Sequence, residues 1–198
     1  MKKIAITGGL SSGKSTVCLF FKDLGSYTVS SDEIVHNLLL HDRILQEKII
    51  SLLGSDVTTN HRLDREKIAR CVFSDVEKLK ALERLIHPKV FHEIDSKYNT
   101  IKDDARYNLF VAEVPLLFES DSSAYFDAIV TVLCDTNVCK ERFVTNKNKT
   151  EAEFNDRMLR QIPPEEKAAR SSHIIFNSGQ ILELKNQVTK LHKQFLSI

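Results

Sequence analysis

One short segment near the N-terminus restricts this chain more than any other feature. Gly8 to Thr16 reads GGLSSGKST, and Gly8, Gly13, Lys14 and Ser15 fit the pattern G-x-x-x-x-G-K-[ST]. The pattern follows a short β-like run, Lys3 to Thr7. It opens a run of helical periodicity from Lys14 to Leu24, with Val17, Leu19, Phe20, Phe21 and Leu24 as the apolar side chains. Glycines in such a turn let successive backbone amides point inward. Those amides and the N-terminus of the following helix make a cradle for an anion. Lys14 can then reach phosphates as a mobile point charge, and the Ser15 hydroxyl can ligand Mg²⁺. The segment therefore predicts a site for the phosphates of ATP, built from Gly9, Ser11, Ser12, Gly13, Lys14, Ser15 and Thr16.

The rest of the chain reads as an α/β protein. Tyr27 to Ser30 is a second strand, and Asp32 is placed as the N-cap of a helical pattern that runs to Gly54. Asp64 opens another helix, and Ser74-Asp75 caps a further one along Val76, Leu79, Leu82 and Ile86, with a break at His87-Pro88. Leu109 to Val114 is a buried strand closed by Pro115, and Ala128 to Cys134 is the next. Val138 to Thr145 and Glu151 to Gln161 read as helices, ended by Pro163-Pro164. Ser172 to Phe176 is a last strand, and Ile181 to Phe195 a closing helix. Continuous apolar strands alternating with helices predict a parallel sheet covered on both faces. We expect one three-layer domain: a core of about residues 1–31, 107–136 and 169–198, a helical lobe inserted over about 32–106, and a small insertion over about 137–168.

Composition removes several alternatives. With 42% apolar and 28% charged residues, a folded core is expected rather than disorder. The net charge of +1 provides no global field toward nucleic acid or an anionic membrane, so neither is an expected partner. No apolar run approaches the ~18 residues that span a bilayer. The four cysteines form no CxxC pair and read as buried free thiols in a reducing, cytoplasmic compartment; the histidines form no metal motif.

Phosphate loops serve GTPases, motors and small-molecule kinases. No glycine has an aspartate three residues before it, so the D-x-x-G of a regulatory GTPase is missing. Asn146-Lys147-Asn148-Lys149 imitates N-K-x-D but has lysine where a carboxylate must accept the guanine donors. A small kinase that folds over its acceptor is the better fit. Asp32, at the end of the second strand, faces the ligand crevice of such a sheet, where a carboxylate can take or orient an attacking hydroxyl's proton; a plain helix cap is the other reading.

Several further stretches resemble the dephospho-CoA kinase family, in the family's order: SSDEIVH at 30–36, LDREKIARCVF at 63–73, LERLIHP at 82–88, EVPLLFE at 113–119, RMLRQIP at 157–163 and IIFNSG at 174–179. The resemblance implies transfer of the ATP γ-phosphate to the 3′-hydroxyl of dephospho-CoA, Mg²⁺, and an adenylate-kinase-like fold with core, acceptor lobe and lid. It gives Asp32 the role of base, Lys14 and Ser15 the nucleotide and metal roles, Arg142 a phosphate contact from the lid, and Asn177 a place near the adenine. Glu113 stands where the family has Asp, and retains a carboxylate for Mg²⁺. Arg65, His87, Leu116, Leu117 and Glu119 are candidates for holding the acceptor; core packing, a helix cap and surface pairing are their alternatives. The chain departs from the pattern at Asn146, where a second lid arginine is usual, with Lys147 and Lys149 nearby, and at Ser172-His173 in place of Ala-Asp. A monomer or weak oligomer is expected. Another small-molecule or nucleoside monophosphate kinase of the same fold, and an ATP-binding switch without transfer, are the competing functions.

Overall fold

A computed structural model describes residues 1–60, 62–73, 75–147 and 149–197; the side chains of Phe73, Asn146 and Lys147 are outside the description. The chain divides into two compact units, Met1–Ser30 with Tyr98–Ile198, and Ser31–Lys97.

The first unit is built on five parallel strands: β1 (Lys2–Gly8), β2 (Tyr27–Ser30), β5 (Leu109–Glu113), β6 (Ala128–Leu133) and β7 (His173–Phe176), in the order β2-β5-β1-β6-β7. The strands are continuous apolar runs because both faces are covered. Ile4, Ile6, Val111, Val130 and Val132 pack with Val17 and Phe21 of α1 (Lys14–Asp23) and with Leu184, Val188, Leu191 and Phe195 of α9 (Ile181–Leu196). Fully burying one such side chain contributes about 1.5–3 kcal/mol. β1 pairs with β5 on one side and β6 on the other, with Ile6 opposite Glu113 and Gly8 opposite Val132. The loop after β1 thus leaves the centre of the sheet. Ser172, one of the departures from the family pattern, ties β7 to β6: its hydroxyl accepts from Ile129 N (2.9 Å) and donates to Ile129 O (2.8 Å).

Beyond β6 come α6 (Thr136–Lys147), α7 (Glu151–Met158) and α8 (Pro164–Ala169). Thr150 begins α7 with a capping box shared with Glu153. α8 answers to no expectation drawn from the sequence. Pro163-Pro164, read as the end of a helix, instead starts one, because proline at the first helical position sacrifices an amide that has no intrahelical partner there.

The second unit holds α2 (Ser31–His41), α3 (Arg43–Leu53), a short hairpin of β3 (Thr58–Thr59) and β4 (Arg62–Leu63), α4 (Arg65–Phe73) and most of α5 (Val76–Ile101). Its core is Leu39, Leu45, Ile49, Val57, Ile68, Val72 and Leu82. Three readings are corrected here. The helical pattern from Asp32 to Gly54 is two helices, separated at Asp42, whose side chain accepts from Leu45 N (2.9 Å) and so caps α3. α2 begins at Ser31, which puts Asp32 in the first turn rather than at the cap. The break expected at His87-Pro88 is absent. α5 runs through Pro88, losing one amide donor but keeping Leu82, Val90, Phe91 and Ile94 buried on either side of it. Of the expected caps, Asp64 and Asp75 each accept from two backbone amides; Ser74 lies outside the described residues.

Candidate active site

The loop between β1 and α1 has the backbone of an anion cradle. Gly13, at the N-cap of α1, has φ +94°, and Ser11 has φ +57°. No side chain caps α1, so the amides at its start are not taken up by a capping group. The Ser11 and Ser12 hydroxyl oxygens are buried with no hydrogen-bond partner among the described residues, in a loop that otherwise offers amides. Lys14 is buried. Its ammonium donates to Gly9 O (2.8 Å) and Gly8 O (3.3 Å), so it lies across the loop it serves. Thr16 follows in the first turn of α1, half-buried.

Ser15 is exposed, and its hydroxyl donates to Glu113 Oε1 at 2.9 Å. Glu113 is the last residue of β5, opposite Ile6 of β1 and Ser30 of β2. A hydroxyl and a carboxylate meeting beside an anion cradle are two hard oxygen donors, the set that suits Mg²⁺ completed by phosphate and water. The Cys18 thiol, one turn along α1, is pushed well up by burial and by the Glu113 carboxylate, with Lys14 opposing, which favours the neutral thiol.

Asn177 and Arg142 come to the same loop from the far side of the sheet. Asn177, just past β7, is buried; its amide nitrogen donates to Ser12 O (2.7 Å), and its own backbone N–H donates to Leu133 O (2.8 Å). Arg142, on α6, donates from Nη1 to Cys134 Sγ at 3.4 Å. A Cβ at Gly13 would fall on Asn177 Nδ2, with Arg142 Nη1 3.9 Å away. A Cβ at Gly9 would stand 3.0 Å from Pro164 Cγ, so the start of α8 lies against the loop.

Beyond Glu113, Leu116 keeps some exposed surface, but Leu117 is fully buried and presents none to a ligand; its packing role is the one realised. Glu119 is not a helix cap. Its Oε1 pairs with Lys167 Nζ (2.7 Å) and accepts from Ile162 N (3.0 Å), while its Oε2 is buried without a partner. Lys167 is fully buried and also donates to Pro115 O (2.8 Å). Burial pulls its pKa down and Glu119 opposes that. Nothing in PPEEKAAR marks this lysine as the buried one. Of the lysines near the absent lid arginine, Lys149 pairs with Glu153 (3.2 Å); the side chains of Asn146 and Lys147 are outside the description.

In the second unit, Asp32 and Arg65 are exposed in the first turns of α2 and α4. His87 is half-buried in α5, where desolvation holds its pKa below 6.5 against the pull of Glu83.

A family model described as dephospho-CoA kinase matches residues 2–183. The chain belongs to the dephospho-CoA kinase family. Dephospho-CoA kinase of Protochlamydia amoebophila is 43% identical over 195 residues, covering 98% of this chain and 96% of that one. That of Chlamydia felis is 39% identical over 94% and 92%. Among solved structures, dephospho-CoA kinase from Campylobacter jejuni aligns with TM-score 0.71 and 25% identity over 98% and 97% of the two chains. TT1252 from Thermus thermophilus aligns with TM-score 0.83 and 28% identity over the same shares. Shikimate kinase from Acinetobacter baumannii, at TM-score 0.56 and 16% identity over 100% and 94%, shares the fold. As a dephospho-CoA kinase family member the chain is an ATP-dependent transferase of the P-loop kinases. Among the described residues no helix is long and apolar enough to cross a membrane.

Proposed function

We propose that the protein transfers the γ-phosphate of ATP to the 3′-hydroxyl of dephospho-CoA, giving CoA and ADP, the last step of coenzyme A synthesis. The observation that carries this reading is the meeting of Ser15 Oγ and Glu113 Oε1 beside the buried Lys14, in a chain of this family. Phosphoryl transfer asks little covalent chemistry of the protein; positioning and charge stabilisation do most of it. The loop amides and the free hydroxyls of Ser11 and Ser12 bind the phosphates. Lys14 exchanges its carbonyl partners for phosphate oxygens, and Arg142 and Asn177 hold the nucleotide from the side of α6 and β7. Ser15 and Glu113 hold Mg²⁺, which when bound neutralises charge developing on the phosphates. Asp32 accepts the proton of the attacking hydroxyl. The unit around α2–α5 serves as acceptor lobe, with Arg65 and His87 as contacts. Leu116 and Glu119 Oε2 contribute from the core, and the segment over about 137–168 acts as a lid. The protein works in the cytoplasm as a monomer or weak oligomer.

The test is ADP release coupled to an optical signal, with ATP and Mg²⁺, in the presence and absence of dephospho-CoA. Acceptor-dependent release is expected. Release driven equally by a nucleoside monophosphate or shikimate, or no turnover at all, overturns the assignment. Asp32→Asn is expected to bind ATP normally and lose most of the transfer rate; near-normal turnover removes the base from the mechanism.

A further inference from the structure

Two of the side chains that approach the nucleotide loop from outside it, Arg142 and Asn177, share a neighbour that the sequence presents only as a buried thiol. Cys134 directly follows β6. Its Sγ lies 3.1 Å from Asn177 O, to which the thiol donates, and 3.4 Å from Arg142 Nη1, from which the sulfur accepts. Asn177 in turn donates to Ser12 O inside the loop. A chain of contacts therefore runs from the guanidinium through one sulfur and one carboxamide residue to the phosphate cradle. Each link uses a different capacity of the thiol, one donor and one acceptor, so an apolar side chain of similar shape would keep the packing and lose both bonds.

The neighbouring Cys139 thiol is pushed up to about 12, first by burial and then by Cys134 itself, and its weak donation goes to Cys134 O at 3.9 Å rather than to the sulfur's partners. Among the described residues Arg142 pairs with no carboxylate, and the Cys134 sulfur is the acceptor its guanidinium meets. The loop has little room for an alternative arrangement, because Asn177 Nδ2 stands where a Cβ on Gly13 would be.

We infer that Cys134 is a positioning residue of the ATP site, holding Arg142 and Asn177 in register with the loop before nucleotide binds. The inference rests on the reading that Arg142 and Asn177 grip ATP. It predicts an effect on nucleotide affinity that is separable from folding and from the acceptor side. A guanidinium and the Asn177 backbone carbonyl left without their shared partner must be ordered by the ligand instead, which lowers affinity by about threefold to tenfold, the range of one modest hydrogen bond.

Direct titration of ATP against Cys134→Val, Cys134→Ser, Arg142→Ala and the Cys134→Val/Arg142→Ala pair tests this, with thermal melting as the fold control. Cys134→Val should weaken ATP threefold to tenfold and raise its KM in parallel, with the KM for dephospho-CoA unchanged. Cys134→Ser, which keeps a donor and an acceptor, should recover most of the affinity. In the double variant the two losses should fall short of their product, since both remove the same contact. ATP affinity in Cys134→Val within a factor of two of wild type, while Arg142→Ala binds poorly, overturns the inference and leaves the reading of Arg142 standing. Normal ATP affinity in Arg142→Ala overturns the reading on which it rests. If Cys134→Val melts early, Cys134→Ala replaces it and the same comparison with Cys134→Ser decides.

Discussion

Gly13→Ala is the substitution whose cost can be worked most fully from the structure. Two terms add. The residue has φ +94°, a region that costs an L side chain roughly 1–2 kcal/mol. The new Cβ also falls on Asn177 Nδ2, so Asn177 must move and its bond to Ser12 O is lost. One such hydrogen bond is worth about 1 kcal/mol. Together they give about 2–3 kcal/mol. For a protein of this size each kcal/mol moves the melting temperature by about 2–4 °C, so a fall of about 4–12 °C is expected. Gly54→Ala is the control. Gly54 has φ +91° and ψ 167°, a region essentially reserved for glycine, but nothing within 4 Å of its Cβ position, so it carries backbone strain without a clash. Scanning calorimetry of both variants without ligand, with ATP titration beside it, separates the terms. Both variants should melt below wild type, and Gly13→Ala alone should lose ATP affinity, whereas Gly54→Ala should bind ATP normally. A melting point of Gly13→Ala equal to wild type together with unimpaired ATP binding would refute the close-approach argument.

Three more outcomes are expected. Lys167→Met leaves the Glu119 carboxylate without its buried partner and should destabilise the fold by about 3 kcal/mol; adding Glu119→Gln should recover part of that loss in the same melting assay. Glu113→Gln should raise the Mg²⁺ concentration giving half-maximal rate by roughly tenfold or more, with metal-free ATP binding little changed. The third concerns pH. Burial holds the His192 imidazole, which faces Asn108 Oδ1 and the Phe21 ring, below 6.5. As pH falls through 6.5 the unfolded chain takes up a proton that the folded chain refuses, so stability declines from there down to the folded pKa. His192→Gln should flatten the melting curve between pH 7 and pH 5, checked by thermal melts across that range; His87 and His173 are shifted the same way and keep some of the slope.

The sequence by itself determined the elements whose residues carry local rules. GGLSSGKST needs left-handed glycine at position 13 and a helix after it, and both are present. The apolar runs at Leu109 and Ala128, short and rich in β-branched residues, read as buried strands, and they are strands. Asp64 and Asp75 announced their helices because a carboxylate at that position satisfies free amides. Local rules failed where long-range packing outweighed them. Pro88 sits inside a 26-residue helix because burial around it outweighs one lost amide bond. Asp42 divides a continuous apolar pattern because its carboxylate caps α3 and also pairs with Lys89 at 2.6 Å, a partner 47 residues away.

The candidate site divides in the same way. Its donor half, Gly8 to Thr16, is contiguous, so spacing alone revealed it. The remaining contacts join residues far apart in sequence. Ser15 meets Glu113 across 98 residues, and Asn177 reaches Ser12 across 165. Glu119, a candidate for holding the acceptor, is also the partner of the buried Lys167, a pairing that no local pattern in either segment announces. No periodicity encodes such pairs. They follow from the parallel order of the sheet, which brings the ends of β1, β5 and β6 and the start of α1 to one edge. Residues that a one-dimensional reading sees as unrelated become neighbours there.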